Sequence, residues 1–410
     1  MLPSLNILQN SNFRLLILTR MLCNMALQSL AVIIGWQIYT LTDSVLMLGL
    51  IGLTEAIPAI IGSLFSGYVV DKSTPHYIYK ICIGGLVLNM GFMLIIGGEF
   101  FHLPHETLVP LLFFGIFVSG VARSFMMPAY FSITPQIIDR KDYAAANAWT
   151  NTGFQISAIG GPILAGVIYG FYGVTSAWIL PITFMSLGFL CVMSFKNLRQ
   201  YEKFEQIGSA FKNIIDGWKF IIQHRMLLTV MIVDMVAVLF GGAVALLPAF
   251  ADEILEVGPE GLGILRTAPG IGAISAALYF ALRPMTSFPL TRMLWAVAGF
   301  GICMIGFGLS TSFYLSIFFL ALSGLFDTIS VIIRGTLKQL LTPDNMRGRV
   351  SAISSMFIIS SNEIGAFESG VAARLMGLVP SVVFGGIMSI IVAGTTYFVT
   401  PNLRKTIIKE

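Results

Sequence analysis

The chain has 410 residues, of which 56% are hydrophobic and only 11% charged, and its mean hydropathy is +0.86. Soluble domains carry about 25% charged residues, so this composition excludes a soluble enzyme or binding module and predicts an all-α membrane protein. The formal net charge of +4 matters less than where the charges sit.

Crossing a hydrocarbon core of about 30 Å takes about 20 apolar residues in a helix. Windows of that length predict twelve spans, over 13–40, 44–70, 77–98, 107–133, 143–169, 174–195, 226–250, 260–282, 290–309, 313–341, 350–375 and 380–400. The first run is too long for a cleavable signal peptide and lacks a small-residue cleavage site, so it is expected to stay as a span. An even number of spans puts both termini on one side. The tail and the turns after even-numbered spans hold Lys72, Arg140, Lys141, Lys196, Arg199, Lys203, Arg347, Arg349, Arg404 and Lys405. The opposite turns hold no basic residue and carry Glu99, Glu106, Asp252, Glu253, Glu256 and Glu260. By the positive-inside rule both termini are expected in the cytoplasm, which fits an inner-membrane protein.

Segment 1 carries Arg20, Asn24 and Gln28. Steps of four residues drift by only about 40° around a helix, so the three form one polar stripe that lipid would reject. Segment 2 places Glu55 near midplane, three residues before Pro58. A carboxyl there is a candidate proton carrier; the alternative is a structural partner such as Arg266 on segment 8. The outer turn around His102 and His105 reads as a solvated loop, with no metal ligand set expected. Segment 4 holds Arg123, and segment 5 holds Gly161, Pro162 and Gly166. Cys23, Cys82, Cys191 and Cys303 fall inside apolar runs without metal-ligand spacing and read as small buried hydrophobes.

The longest connection separates residues 1–195, a six-helix bundle, from 226–410, a second bundle. Within the 196–225 linker, Phe211, Ile214, Ile215, Trp218 and Ile222 recur at helical spacing opposite Lys212 and Lys219. That pattern predicts an amphipathic helix on the inner membrane surface. Segment 7 carries Asp234, and segment 10 carries Asp327, Arg334 and Lys338. Segment 11 carries Glu363, Glu368 and Arg374. Insertion scales charge about 2.5–3.5 kcal/mol for Asp, Lys or Arg at a helix centre, so such residues face protein or water. Asp327 and Arg334 share a face but stand about 10 Å apart along the axis. Glu363 and Glu368 lie about 140° apart around theirs and cannot serve one site. The two bundles read as repeats, with Arg123 of segment 4 in register with Asp327 of segment 10, a transporter architecture with a midplane site.

With these residues the chain resembles the major facilitator superfamily over nearly its full length. The turn Gly67-Tyr68-Val69-Val70-Asp71-Lys72 is similar to that superfamily's Gly-x-x-x-Asp-Arg/Lys gating signature, although Thr74, Pro75 and His76 replace its further Gly and basic residues. Ser157-x-x-x-Gly161-Pro162-x-x-Ala165-Gly166 resembles the glycine-proline motif of its antiporters, with Ser and Ala in place of two glycines. A closer resemblance is to the bacterial branch that includes the enterobactin exporter and drug efflux pumps. It rests on Asn12-Phe13-Arg14, Gly35-Trp36-Gln37-Ile38-Tyr39, Asn147-Ala148, Leu341-Thr342-Pro343, Met346-Arg347-Gly348-Arg349, Ser361-Asn362-Glu363-Ile364-Gly365 and Glu368-Ser369-Gly370.

The resemblance implies a major facilitator fold in which segments 1, 4, 7 and 10 line the cavity, each here with a charge: Arg20, Arg123, Asp234 and Asp327. It implies Gly67, Asp71, Lys72, Arg347 and Arg349 as gating residues. No nucleotide site, catalytic triad, zinc signature or nucleic-acid motif is present, so no enzyme activity, cofactor or nucleic-acid partner is expected. The expected partners are a small-molecule substrate, protons and the lipid bilayer, and the working unit a monomer. The proton-coupling candidates are Glu55, Asp234, Asp327, Glu363 and Glu368; Arg20, Asn24, Gln28, Arg123 and Arg334 are the cavity candidates. The expected function is proton-coupled export of a siderophore or similar amphipathic compound by alternating access. An importer of a ferric siderophore or nutrient on the same fold, a multidrug efflux pump, and a non-transporting membrane sensor or assembly partner are the alternatives.

Overall fold

The computed structural model describes residues 7–101, 103–139, 142–196, 198, 210–282, 289–343 and 346–404. These are helical almost throughout, with no strand. Arg140, Lys141, Arg199, Lys203, Lys405 and His102 lie outside them. Of Gly67, Asp71, Phe211, Lys212, Ile214, Arg347 and Arg404 only the helical backbone is described.

Four helices open the chain: α1 (Ser11–Thr42), α2 (Val45–Lys72), α3 (Pro75–Gly97) and α4 (His105–Ile137). Asn10 caps α1 by accepting a hydrogen bond from the Phe13 N–H at 3.2 Å, and its own amide donates to the Ile137 carbonyl at 2.9 Å. Helix α5 (Tyr143–Met193) is hydrogen-bonded as one helix but breaks at Gly173, where φ is +79° and ψ 175°. Only glycine adopts such a backbone without strain.

The linker helix α6 (Ala210–Gln223) precedes α7 (Arg225–Phe240), which continues through short 3₁₀, α and π turns to Ile254. Helices α8 (Gly258–Leu282), α9 (Pro289–Leu309), α10 (Phe313–Leu341), α11 (Arg347–Met376), α12 (Leu378–Val399) and the short α13 (Pro401–Arg404) complete the chain. Among the described residues, eleven helical stretches are long and apolar enough to cross a membrane. One of them covers 49 residues, about twice the length a single crossing takes. The Gly173 break divides it into two spans, giving the twelve that hydropathy predicts. Their outer faces carry exposed apolar side chains such as Leu88, Phe171, Trp295 and Phe398, as a lipid solvent permits.

The chain forms two compact units. The first comprises Met1–Asp43, Thr54–Glu205 and Gly258–Thr267; the second comprises Ser44–Leu53, Gln206–Val257 and Ala268–Glu410. Helices α2 and α8 are therefore each shared, with the first nine residues of α2 and the first ten of α8 assigned away from the rest of the helix.

The shared starts dock on glycines. In the second unit a Cβ built on Gly49 meets the Gly370 Cα at 3.0 Å. In the first, one built on Gly166 meets the Pro259 carbonyl oxygen at 2.5 Å and the Gly263 Cα at 2.9 Å. Without a hydrophobic force between helices in lipid, such backbone-to-backbone approach is what holds them together.

Helix α6 packs within the second unit. Gly217 lies against Ile353 and Arg349 of α11, Trp218 sits 5.3 Å from the Phe357 ring, and Ile221 is fully buried in the core with Val230, Met293 and Leu337. The amphipathic pattern thus has a protein surface to cover, in addition to the membrane surface expected for it. Ile215 and Ile222 remain exposed.

Candidate functional site

In the first unit, α1 presents Arg20, Asn24 and Gln28, all half-buried. The Arg20 guanidinium carbon lies 4.2 Å above the centre of the Tyr130 ring on α4. The Tyr130 hydroxyl is 3.0 Å from Thr150 Oγ1 on α5, so one tyrosine ties three helices. The Asn24 and Gln28 amides have no hydrogen-bond partner among the described residues, leaving their groups available to a ligand. The neighbouring side of α1 is fixed: Ser157 donates to the Met21 carbonyl at 2.8 Å, and Ser29 donates to the Gly161 carbonyl at 3.1 Å. A Cβ on Gly161 would meet Gln28 Cβ and the Met25 carbonyl oxygen, each at 2.9 Å. Gly161 and Gly166 of the glycine-proline motif thus pack α5 against α1 and the start of α8, with Pro162 between them.

Glu55 of α2 forms an ion pair with Arg123 of α4. Arg266, the partner weighed from the sequence, donates instead to the Ala31 carbonyl at 3.1 Å. The physical reason lies in the crossing of α2 and α4. Gly120 lets α4 approach the Glu55 carbonyl and Pro58, where a Cβ would come within 2.7 Å of both. That brings Arg123, one turn on, to the Glu55 carboxylate.

In the second unit, Asp234 of α7 pairs with Arg334 of α10, and the Ser330 hydroxyl donates to Asp234 Oδ1 at 3.2 Å. The three residues are 4%, 8% and 3% exposed, so this charge pair is closed to bulk solvent. A charge-neutral cluster of this kind joins two helices.

Asp327 lies three residues before Ser330 on α10, half-buried, with no ion-pair or hydrogen-bond partner among the described residues. It stands apart from Asp234 and Glu55, whose carboxylates are neutralised. Glu363 of α11 is half-buried against the start of α2, where a Cβ on Gly52 would lie 3.4 Å from its Oε2. Glu368 is also half-buried, Arg374 is exposed, and neither joins Asp327. Of the residues expected to gate, Lys72 is exposed, and Arg349 donates to Asp216 of α6 at 3.3 Å.

Several motif residues hold helices together. Asn12 donates to the Lys196 carbonyl at 2.6 Å and accepts from its N–H at 3.1 Å. Gln37 donates to the Gly97 carbonyl at 2.8 Å and accepts from Trp178 Nε1 at 2.9 Å, deep in the first unit. Sequence reasoning did not single out Tyr130, Ser330 or Asp216. Tyr130 carried a signal in the repeat register: Arg334 follows Tyr130 by 204 positions, as Asp327 follows Arg123.

The family profile described as transmembrane secretion effector matches residues 3–406 of the chain. The enterobactin exporter EntS of Shigella dysenteriae serotype 1 (strain Sd197) is 22% identical over 392 residues, covering 96% of this chain and 92% of the exporter. That of Escherichia coli O81 (strain ED1a) is also 22% identical, with the same coverage. Among solved structures, a D-xylose–proton symporter superposes with a TM-score of 0.73 at 12% identity, covering 97% of this chain and 99% of the symporter. A bacterial homologue of the iron transporter ferroportin, in its inward-facing state, gives 0.69 at 14% identity, covering 96% and 99%. At such identities the structural likenesses carry the fold alone.

Proposed function

This chain belongs to the transmembrane secretion effector family, in the enterobactin exporter-like branch of the major facilitator superfamily, and we propose that it exports a siderophore or similar amphipathic organic compound in exchange for protons. As a member of that superfamily it is a multi-pass membrane transporter of small molecules and no enzyme. In this reading it sits in a bacterial inner membrane with both termini cytoplasmic, works as a monomer, and cycles by alternating access.

The observation that carries proton coupling is the isolation of Asp327. A carboxyl that is half-buried in a span and lacks a neutralising cation is the kind of group that takes up and releases a proton as its surroundings change. Asp234 and Glu55 are engaged by arginines and serve helix packing in this reading. One proton crossing about 100 mV releases about 2.3 kcal/mol. At about 1.4 kcal/mol per tenfold, that sustains a cargo gradient of roughly fiftyfold, ample for export.

Arg20 supplies the complementary recognition element. A tyrosine ring attracts a guanidinium without neutralising it, so Arg20 keeps its charge beside two amides with spare hydrogen-bonding capacity. That set suits an oxygen-rich anionic group on the cargo.

The test uses inverted and right-side-out vesicles with an imposed pH gradient and labelled enterobactin as the cargo probe. Uptake into inverted vesicles with an acid interior, lost in Asp327→Asn together with its dependence on the gradient, is the expected result. Uptake confined to right-side-out vesicles overturns export. Gradient-driven uptake that survives Asp327→Asn moves the proton to another carboxylate.

A further inference from the structure

Where α10 ends and α11 begins, the second unit holds an open pocket of about 450 Å³ lined, among the described residues, by Lys338, Gln339, Thr342 and Ser351. None of these has a part in the transport reading above. We propose that this pocket is a binding site for the phosphate group of an anionic phospholipid headgroup.

The chemistry of the lining points to an anion. Lys338 offers an ammonium, Gln339 an amide N–H₂, and Thr342 and Ser351 hydroxyl donors; none of these four is acidic. Two further cations nearby are matched among the described residues. Arg334, one turn before Lys338, is held by Asp234, and Arg349, two residues before Ser351, is held by Asp216. Lys338 has no carboxylate partner among the described residues. Thr342 is only 3% exposed, yet its Oγ1 has no hydrogen-bond partner. A buried hydroxyl left without a partner costs about 1–3 kcal/mol, which a phosphate oxygen would relieve. Helix α11 starts at Arg347, between Thr342 and Ser351, and a helix N-terminus favours a nearby anion.

The position selects a lipid over a soluble phosphate. Lys338 is in the last turn of a 29-residue spanning helix, the depth at which headgroups lie. Next to it in sequence, Leu340 is 59% exposed and Leu341 36% exposed, an apolar skirt for acyl chains beside a polar pocket.

The experiment measures thermal unfolding of the full chain in nanodiscs. The discs contain phosphatidylcholine alone, phosphatidylcholine with phosphatidylglycerol, or phosphatidylcholine with added inorganic phosphate. Wild type is expected to melt several degrees higher with phosphatidylglycerol. Lys338→Gln and Thr342→Val are expected to lose most of that increment, while Lys338→Arg and Thr342→Ser, which keep charge and hydroxyl, retain it. Because the readout is the increment within each variant, a lower baseline in one of them does not obscure it. An increment seen with inorganic phosphate but not with phosphatidylglycerol overturns the lipid assignment. An increment that is absent in wild type, or identical in all variants, overturns the site.

Discussion

Arg334 of α10 forms an ion pair with Asp234 of α7, while in the first unit Arg20 of α1 lies over the Tyr130 ring of α4. Each unit therefore joins its first and fourth spanning helices through one arginine, but only the second unit's arginine meets a carboxylate. The difference decides what each contact can do. The buried Asp234–Arg334 pair is electrically closed, whereas Arg20 over a ring retains its charge. In the second unit Asp327 has no ion-pair partner among the described residues.

Breaking the closed pair from one side leaves the other charge stranded. For a buried pair this costs about 3–5 kcal/mol, whereas replacing both charges with apolar groups of similar volume is close to neutral. Asp234→Ala is accordingly expected to lower the melting temperature sharply, and Asp234→Leu with Arg334→Met to recover most of the loss. A double-mutant cycle by thermal unfolding measures the coupling. A coupling near zero would mean that the two side chains do not meet in the membrane.

Arg20 is expected to act on binding. A guanidinium over a tyrosine face contributes about 0.5–2 kcal/mol, little enough that Arg20→Gln should fold. If Arg20 recognises an anionic group, losing that charge-assisted contact removes about 1.5–3 kcal/mol, or roughly ten- to a hundredfold in affinity. The expected signature is a raised apparent KM for anionic cargo in inverted vesicles, with a smaller change in maximal rate. An unchanged KM would reduce Arg20 to a helix contact.

Hydropathy alone read the twelve spans, because chain length in lipid is set by one physical requirement. Boundaries were legible to within a few residues: segment 10 over 313–341 coincides with α10, and the turn at Gly173 separates segments 5 and 6. Partner choice was not legible. Nothing in the spacing of Glu55 tells Arg123 from Arg266, because that choice depends on how closely α2 and α4 approach at Gly120. The polar stripe on α1 was readable from its four-residue steps, yet Tyr130 beneath Arg20 showed in the sequence only through its repeat register with Arg334. The linker helix showed the same limit. Its apolar face was plain, but whether that face meets lipid or α11 turns on Gly217, one small residue that permits contact.

The glycine-proline motif offers a steric test. The three atoms nearest a Cβ at Gly166 are backbone atoms of α8, at 2.5–3.1 Å, and backbone cannot swing aside as a long side chain does. Gly166→Ala is expected to cost about 1–3 kcal/mol through overpacking and to depress transport, while Gly160→Ala, whose Cβ would meet the end of the Met25 side chain at 3.3 Å, is tolerated. Thermal unfolding and vesicle uptake of the two variants, compared side by side, distinguish close packing from a general intolerance of α5 to methyl groups. Equal effects at both positions would remove Gly166 from any special role.

The anchoring of α6 on α11 pits an ion pair against apolar burial. Asp216 and Arg349 are each about a third exposed and 3.3 Å apart, and pairs of that kind contribute about 0–1 kcal/mol. Ile221 is fully buried in the second unit's core, where truncation of an isoleucine to alanine costs about 2–5 kcal/mol. Burial should win. Ile221→Ala is expected to loosen α6 and raise hydrogen exchange across Gly217–Gln223, whereas Asp216→Asn should leave exchange there close to that of wild type. If Asp216→Asn proved the more disruptive of the two, the anchor would be electrostatic, and raising the salt concentration in wild type should then reproduce its effect.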